Sequence, residues 1–326
     1  MTAPAAARVA SAEDVVLSAD EVAGLPVRRP ARPLRWVTAA LVLLLLAVAA
    51  DTLVENGNFA WSVVGHYLFD SSILRGLVTT LWLTALSMVI GIVLGAVLAL
   101  MRMSANPFTS GVSHLYIWFF RGTPVLVQLV FWYNLAALFP ELSIGVPFGG
   151  PVFASGSSTA LITPYSAALL GLGLNEAAYM AEIVRAGVRS VDEGQLEAAR
   201  ALAMSAAQTH RKILLPQAMR VIIPPTGNEF IGMLKTTSLV SVISLSDLLY
   251  SAQSIYAHNF QTIPLLIVVS LWYLLFTSVL SVAQSFLERR FDRAQSVRPR
   301  SPWPKRQRSR PLSTKARETE ELPDER

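Results

Sequence analysis

EAARALAMSAAQTHRKILLP, residues 197–216, is a polar, basic stretch set between long apolar runs. Glu197 through Ala207 is almost wholly strong helix former, with alanine at 198, 199, 201, 203, 206 and 207. The spacing predicts two short helices joined by a turn between Val188 and Arg220. Asp192 or Glu193 is expected at the start of the first, where negative charge suits the positive end of a helix. Pro216 is expected to break the chain before the next apolar run. A helix faced with small residues is a smooth knob that can enter a groove on a partner, and Arg200, Arg211 and Lys212 would steer and hold that partner. A merely solvated hairpin is the competing reading.

The flanking sequence sets the environment. The chain is 53% hydrophobic and only 15% charged, whereas soluble domains carry about a quarter charged residues. Apolar runs cover residues 36–54, 77–101, about 116–139, about 163–187, about 221–249 and about 263–286. Each is long enough to cross a bilayer as a helix. The second run is interrupted by Gly91 and Gly95, a spacing suited to close helix contact in lipid. The third opens on Arg121-Gly122-Thr123-Pro124, and the fifth carries Pro224, Pro225, Gly227 and Gly232 near its start. The first run could also be a signal peptide, because Ala47-Val48-Ala49 looks like a small-x-small cleavage site. The long tail before it favours a retained span. One all-α, polytopic membrane bundle with short loops is therefore expected, and residues 1–34 and 291–326 read as disordered tails.

The net charge of +5 might suggest nucleic acid, but its distribution points to topology instead. Segments 55–76, 140–162 and 250–262 hold Arg75 as their only Lys or Arg, while both tails and the 185–220 loop are rich in them. Basic loops stay inside, so both termini and the 197–216 stretch are expected on the cytoplasmic side. There is no cysteine, which excludes disulfides and thiol chemistry. The histidines are scattered without a metal-binding spacing, and no metal site is expected. Gly227-x4-Gly232 begins like a phosphate loop, but Met233 stands where lysine is required. An ATP site in this chain is not expected, and neither is a fused binding domain.

Ionisable groups inside a membrane are costly and mark function or pairing. Asn175 and Glu176 fall in the fourth span, with Tyr179 one turn on, and together with Asn228 and Glu229 they are the candidate residues of a substrate pathway. Glu176 is a candidate ligand for a substrate amino group, or else a hydrogen-bonded carboxylate holding neighbouring helices. Glu182 and Arg185 lie at i,i+3 and are expected to pair. Asn228, Glu229 and Lys235 cluster early in the fifth span; Glu229 is expected to pair with Arg220, Lys235 or a neighbouring helix, with substrate contact as the other reading. An ion-coupled secondary transporter, with Glu176 relaying protons, is the alternative class, but it leaves the 197–216 pattern unexplained.

That pattern, Glu-Ala-Ala, three residues, a glycine position, nine residues and Ile-x-Leu-Pro, resembles the EAA loop of permease subunits in binding-protein-dependent ABC importers. The matching residues are Glu197, Ala198, Ala199, Ile213, Leu215 and Pro216, and Ala203 stands where the family has glycine. Arg121-Gly122-Thr123-Pro124, the segment Ala177 to Gly187, Pro224 to Phe230, and Leu234 to Leu239 are similar to the polar amino-acid branch. The resemblance covers about residues 71–290. It implies a type I (MetI-like) core of five spans behind an extra N-terminal span at 35–55, in a bacterial plasma membrane. It further implies a subunit without chemistry or cofactor of its own. ATP and magnesium would sit on a partner ATPase dimer that receives the loop at about 188–220. A second permease subunit, of the same or a sister chain, would complete the pathway, and an extracytoplasmic amino-acid-binding protein would deliver substrate.

Overall fold

The computed structural model describes residues 33–146 and 150–292, so the expected disordered tails at 1–34 and 291–326 lie outside the described residues except at 33–34 and 291–292, which are helical. The chain divides into two compact units, residues 1–59 and 60–326. In the first, α1 (Pro33–Glu55) runs unbroken through Ala47-Val48-Ala49. A 3-10 turn, Gly57–Phe59, follows it.

The second unit opens with α2 (Trp61–Leu68) and α3 (Ser71–Arg102), the latter capped by the Asp70 carboxylate on the Ser72 amide at 2.7 Å. The segment 55–76, between the first two apolar runs, thus contains α2. Its C-terminal carbonyl, on Leu68, accepts the Trp272 indole N–H at 2.9 Å. Gly91 and Gly95 do not interrupt α3. They let it press onto a later helix: a β-carbon on Gly95 would sit 2.9 Å from the Ala177 carbonyl oxygen and 3.0 Å from the Ala181 nitrogen. Small residues permit this approach, which dispersion contacts reward in lipid.

The third apolar run is not one straight span. Helix α4 (Pro107–Gly122) ends at Thr123, and α5 (Val125–Tyr133) leaves it at 101°. Pro124 cannot donate a backbone hydrogen bond and forces the preceding residue out of helical geometry, so Thr123 is extended at φ −113° and ψ 141°. The Arg121-Gly122-Thr123-Pro124 motif therefore forms an elbow between two helices instead of opening a span. A hairpin follows, β1 (Glu141–Gly145) antiparallel to β2 (Val152–Ser157). The sequence did not suggest it. Apart from it the described chain is helical or in connecting turns.

Helix α6 (Pro164–Arg189) begins with a Thr163–Ser166 capping box. Next comes α7 (Glu193–Ala201), capped by Asp192 on the Gly194 amide at 2.8 Å. A second capping box, Ser205 with Gln208, starts the helical turn Ala206–Thr209. This widens into a π turn at His210–Leu214 and continues as α8 (Leu215–Thr236). The break expected at Pro216 does not occur. The Leu215 amide reaches back five residues to the His210 carbonyl, and Pro216 sits in the first turn of α8, where its missing N–H costs least.

The fifth run also bends. Residues Thr237–Ile243 tighten to 3-10 geometry, Ser244 turns left-handed at φ 58°, and α9 (Leu248–Asn259) starts at an Asp247 cap with a 44° change of direction. Helix α10 (Thr262–Asp292) closes the described chain. Among the described residues α1, α3, α6 and α10 are long and apolar enough to cross a membrane, and the two bent segments raise the count to six if each is one span. The main interior cluster, with Leu83, Met88, Leu129, Leu172 and Val240, joins α3, α5, α6 and the 3-10 segment.

Candidate functional site

The elbow is held from two sides. Breaking α4 frees carbonyls that lipid cannot satisfy. The Gln128 side-chain amide donates to the carbonyls of Phe120 (3.0 Å) and Thr123 (3.1 Å), and to the Thr123 hydroxyl (2.7 Å). Asn175 on α6 donates to the same Phe120 carbonyl at 2.8 Å. Asn175, expected as a substrate contact, thus fixes the bend while its flank lines the cavity beneath.

That cavity, about 560 Å³, is walled by Arg121, Thr123 and Pro124 of the elbow, Asn175, Glu176 and Tyr179 of α6, and Glu229 and Thr236 of α8. The elbow sets Arg121 over the Tyr179 ring, 5.1 Å from its centroid, where a guanidinium is attracted by the π face. Glu176 is 4% exposed, and its Oε1 has no hydrogen-bond partner among the described residues. Its stem lies on Gly91 of α3. A carboxylate so placed, with a cavity beside it, requires a proton or a cation there. Glu229, half-buried, faces the same space from α8.

The expected cluster on the fifth span is divided. Asn228 is exposed and accepts from the Gln284 amide at 2.9 Å, against α10 and away from the cavity. Lys235 lines a different hollow, beside Tyr273. Glu229 makes no ion pair with Arg220 or Lys235; Glu182–Arg185 is the one salt bridge among the described residues, and it joins the i,i+3 pair as expected. Helix geometry gives the reason: at about 100° per residue, Arg220 and Lys235 fall about 180° and 240° round the helix from Glu229. Sequence reasoning missed Arg121 as a cavity residue. The signal was available, since Arg121 is the one basic residue in the run 116–139.

The second candidate surface is α7 with its turn. Glu197 and Ala198 are exposed, Leu202 is 76% exposed, and Ala199 is fully buried beneath them. Ala203, exposed, adopts φ 52°. Its amide bonds the Arg200 carbonyl at 2.9 Å, and the Met204 amide bonds the Ala199 carbonyl at 3.1 Å. This is a Schellman ending, whose left-handed position is usually glycine. Val191, Leu214, Ala218 and Ile222, with Leu196 packed on them, tie the hairpin to α6 and α8. Ile213 is half-buried at its base, and Leu215 and Pro216 are exposed where α8 begins.

Residues 91–293 match the family described as binding-protein-dependent transport system inner membrane component. The arginine transport system permease protein ArgU of Corynebacterium glutamicum is 48% identical over 273 residues, 83% of each chain. The probable amino-acid permease protein YxeN of Bacillus subtilis is 37% identical over 219 residues, 67% of this chain and 90% of the relative. A crystal structure of an amino acid ABC transporter with histidines superposes with a TM-score of 0.57 at 37% identity, covering 67% of this chain and 94% of that one.

Proposed function

This chain belongs to the family of binding-protein-dependent transport system inner membrane components and is a permease of the amino-acid ABC importers; from that premise we propose that it carries cationic amino acids and is driven through α7. The observation that carries the substrate class is the pairing of Glu176 and Glu229 around one cavity, opposite a single guanidinium, Arg121. A cationic amino acid offers one carboxylate for Arg121 and two cationic groups for the glutamates. The relative named for arginine transport supports the same class. In this reading the elbow positions Arg121, the stem of Glu176 rests on Gly91, and Tyr179 braces the guanidinium.

Coupling is assigned to Glu197, Ala198, Leu202 and the Ala203 turn. They form an exposed helix end on a hairpin whose base is packed into α6 and α8, so a push on α7 is carried into the helices that wall the cavity. Ala199, Ile213, Leu215 and Pro216 belong to that base. The pusher would be a separate ATPase dimer, with ATP and magnesium held there. A binding protein would deliver substrate to the outer face and a second permease would complete the pathway. The lysine and arginine bias puts both termini and α7 on the cytoplasmic side of a bacterial inner membrane. An ion-coupled mechanism has no observation in its favour.

Charge reversal at Glu197 tests the coupling role. In proteoliposomes holding the whole transporter, Glu197→Arg should abolish uptake and substrate-stimulated ATP hydrolysis while insertion stays normal. Normal uptake by this variant would overturn the assignment. For substrate class, uptake of lysine and arginine against glutamate decides.

A further inference from the structure

We propose that a groove on the side of the bundle, distinct from the substrate cavity, binds an anionic phospholipid: an acyl chain in the groove, and the headgroup phosphate on basic residues at its mouth. The inference rests on the orientation assigned above, with the mouth in the cytoplasmic leaflet.

The groove encloses about 680 Å³ between Ile92 and Ala96 of α3, Val184 of α6, and Ile223 and Phe230 of α8. Its wall offers a polar ligand almost nothing. Thr226 lines it, but its hydroxyl is already committed to the Ile222 carbonyl at 2.7 Å. The remaining polar side chain is His210, at the end nearest the α7 hairpin. An apolar chain therefore fits the slot.

The mouth has the opposite character. Exposed Arg211 and Lys212 stand one helical turn before the lining residues Leu214 and Leu215, and exposed Arg290 one turn beyond the lining residue Leu287. None of these forms a salt bridge among the described residues, and Glu288 beside them is taken by the Gln284 amide at 2.8 Å. An apolar slot under an unpaired cationic rim matches one amphipathic molecule, a phospholipid of net negative charge. A second copy of this chain is a poorer occupant, because a symmetric contact would set basic rim against basic rim. The π turn His210–Leu214 forms part of the groove wall. Bound lipid would therefore press on the segment that joins the α7 hairpin to α8, and anionic lipid content would set how well the two are coupled.

The test is lipid retention by the intact transporter. The complex, purified from nanodiscs of phosphatidylcholine mixed with phosphatidylglycerol, is examined by native mass spectrometry. Phosphatidylglycerol should be retained in preference to phosphatidylcholine. The preference should fall about fivefold for each charge removed in Arg211→Gln and Lys212→Gln, and retention should vanish in Ala96→Trp, which fills the slot. The two exposed-site variants keep the test standing if the tryptophan variant fails to fold. Equal retention of both lipids, or retention indifferent to Arg211 and Lys212, overturns the proposal. So does efficient cross-linking of Ala96→Cys to a second permease chain, which would put protein in the groove. The readout does not require transport. Lost uptake with lipid retained would count against the transport reading alone, and normal uptake without lipid preference against the lipid site alone.

Discussion

Gly91 of α3 lies directly under Glu176 of α6: a β-carbon on the glycine would stand 2.8 Å from the glutamate Cβ and overlap its Cγ. One residue thus sets both the distance between two membrane helices and the position of the buried carboxylate. Gly91→Ala should lower stability by about 1–3 kcal/mol, the usual cost of overpacking, and should reduce uptake because Glu176 must move. A β-carbon on Gly111 would meet nothing within 4 Å, so Gly111→Ala is the matched control: it should leave uptake unchanged and raise stability by about 0.5–1 kcal/mol, the helix-propensity gain of alanine over glycine. Thermal unfolding in detergent and uptake in proteoliposomes measure the pair.

Glu176→Gln keeps the shape and removes the charge. A hydrogen bond to a charged group contributes about 1.5–3 kcal/mol, so affinity for a cationic amino acid should fall about tenfold or more. Stability should hold or rise, because a buried unpaired charge disappears. Equal transport by the two forms would remove Glu176 from the substrate path.

The elbow can be loosened one bond at a time. Asn175→Ala leaves the Phe120 carbonyl with Gln128 as its remaining side-chain donor and should cost about 1–2 kcal/mol. Adding Gln128→Ala should cost more than the sum of the single changes, since both donors serve one carbonyl. A strictly additive double-mutant cycle by thermal unfolding would show that the two amides act independently.

Ala203 holds φ 52° at the end of α7, a conformation that costs a residue with a β-carbon about 1–2 kcal/mol. Ala203→Gly should relieve that strain, slow hydrogen exchange across residues 193–204, and leave coupling intact. Faster exchange in the glycine variant would mean that the alanine is favourable where it stands.

The spans were legible because hydropathy and capping agree: the run read as 163–187 is α6 at 164–189, opened by Thr163 and Pro164. The first helix of the polar stretch and the Asp192 cap followed from propensity and dipole arguments, whereas the expected second helix is a four-residue turn that runs on into α8. The elbow was readable in principle, as Thr-Pro disfavours helix, but apolar residues continue across it and hydropathy cannot see an angle. The break before α9 carries no glycine or proline. Its marks are a lone Asp247 in an apolar run and a left-handed Ser244, and the second is invisible in sequence. The candidate cavity was half legible. Glu176 and Glu229 stood out as charges in lipid, whereas the face each presents depends on helix phase, which separated Glu229 from Asn228 and Lys235.

The π turn at His210–Leu214 has a consequence for what the linker will tolerate. It accommodates one residue more than an α-helical turn would. Deleting a single residue there would restore regular winding and leave both flanks in phase, because the wide turn already takes up the extra residue within one revolution. The same deletion within the regular part of α8 would rotate the α7 hairpin by about 100° about the helix axis, leaving the knob intact but pointing the wrong way. One-residue deletions should therefore be mild inside the wide turn and disabling outside it, because what the segment transmits is an angle.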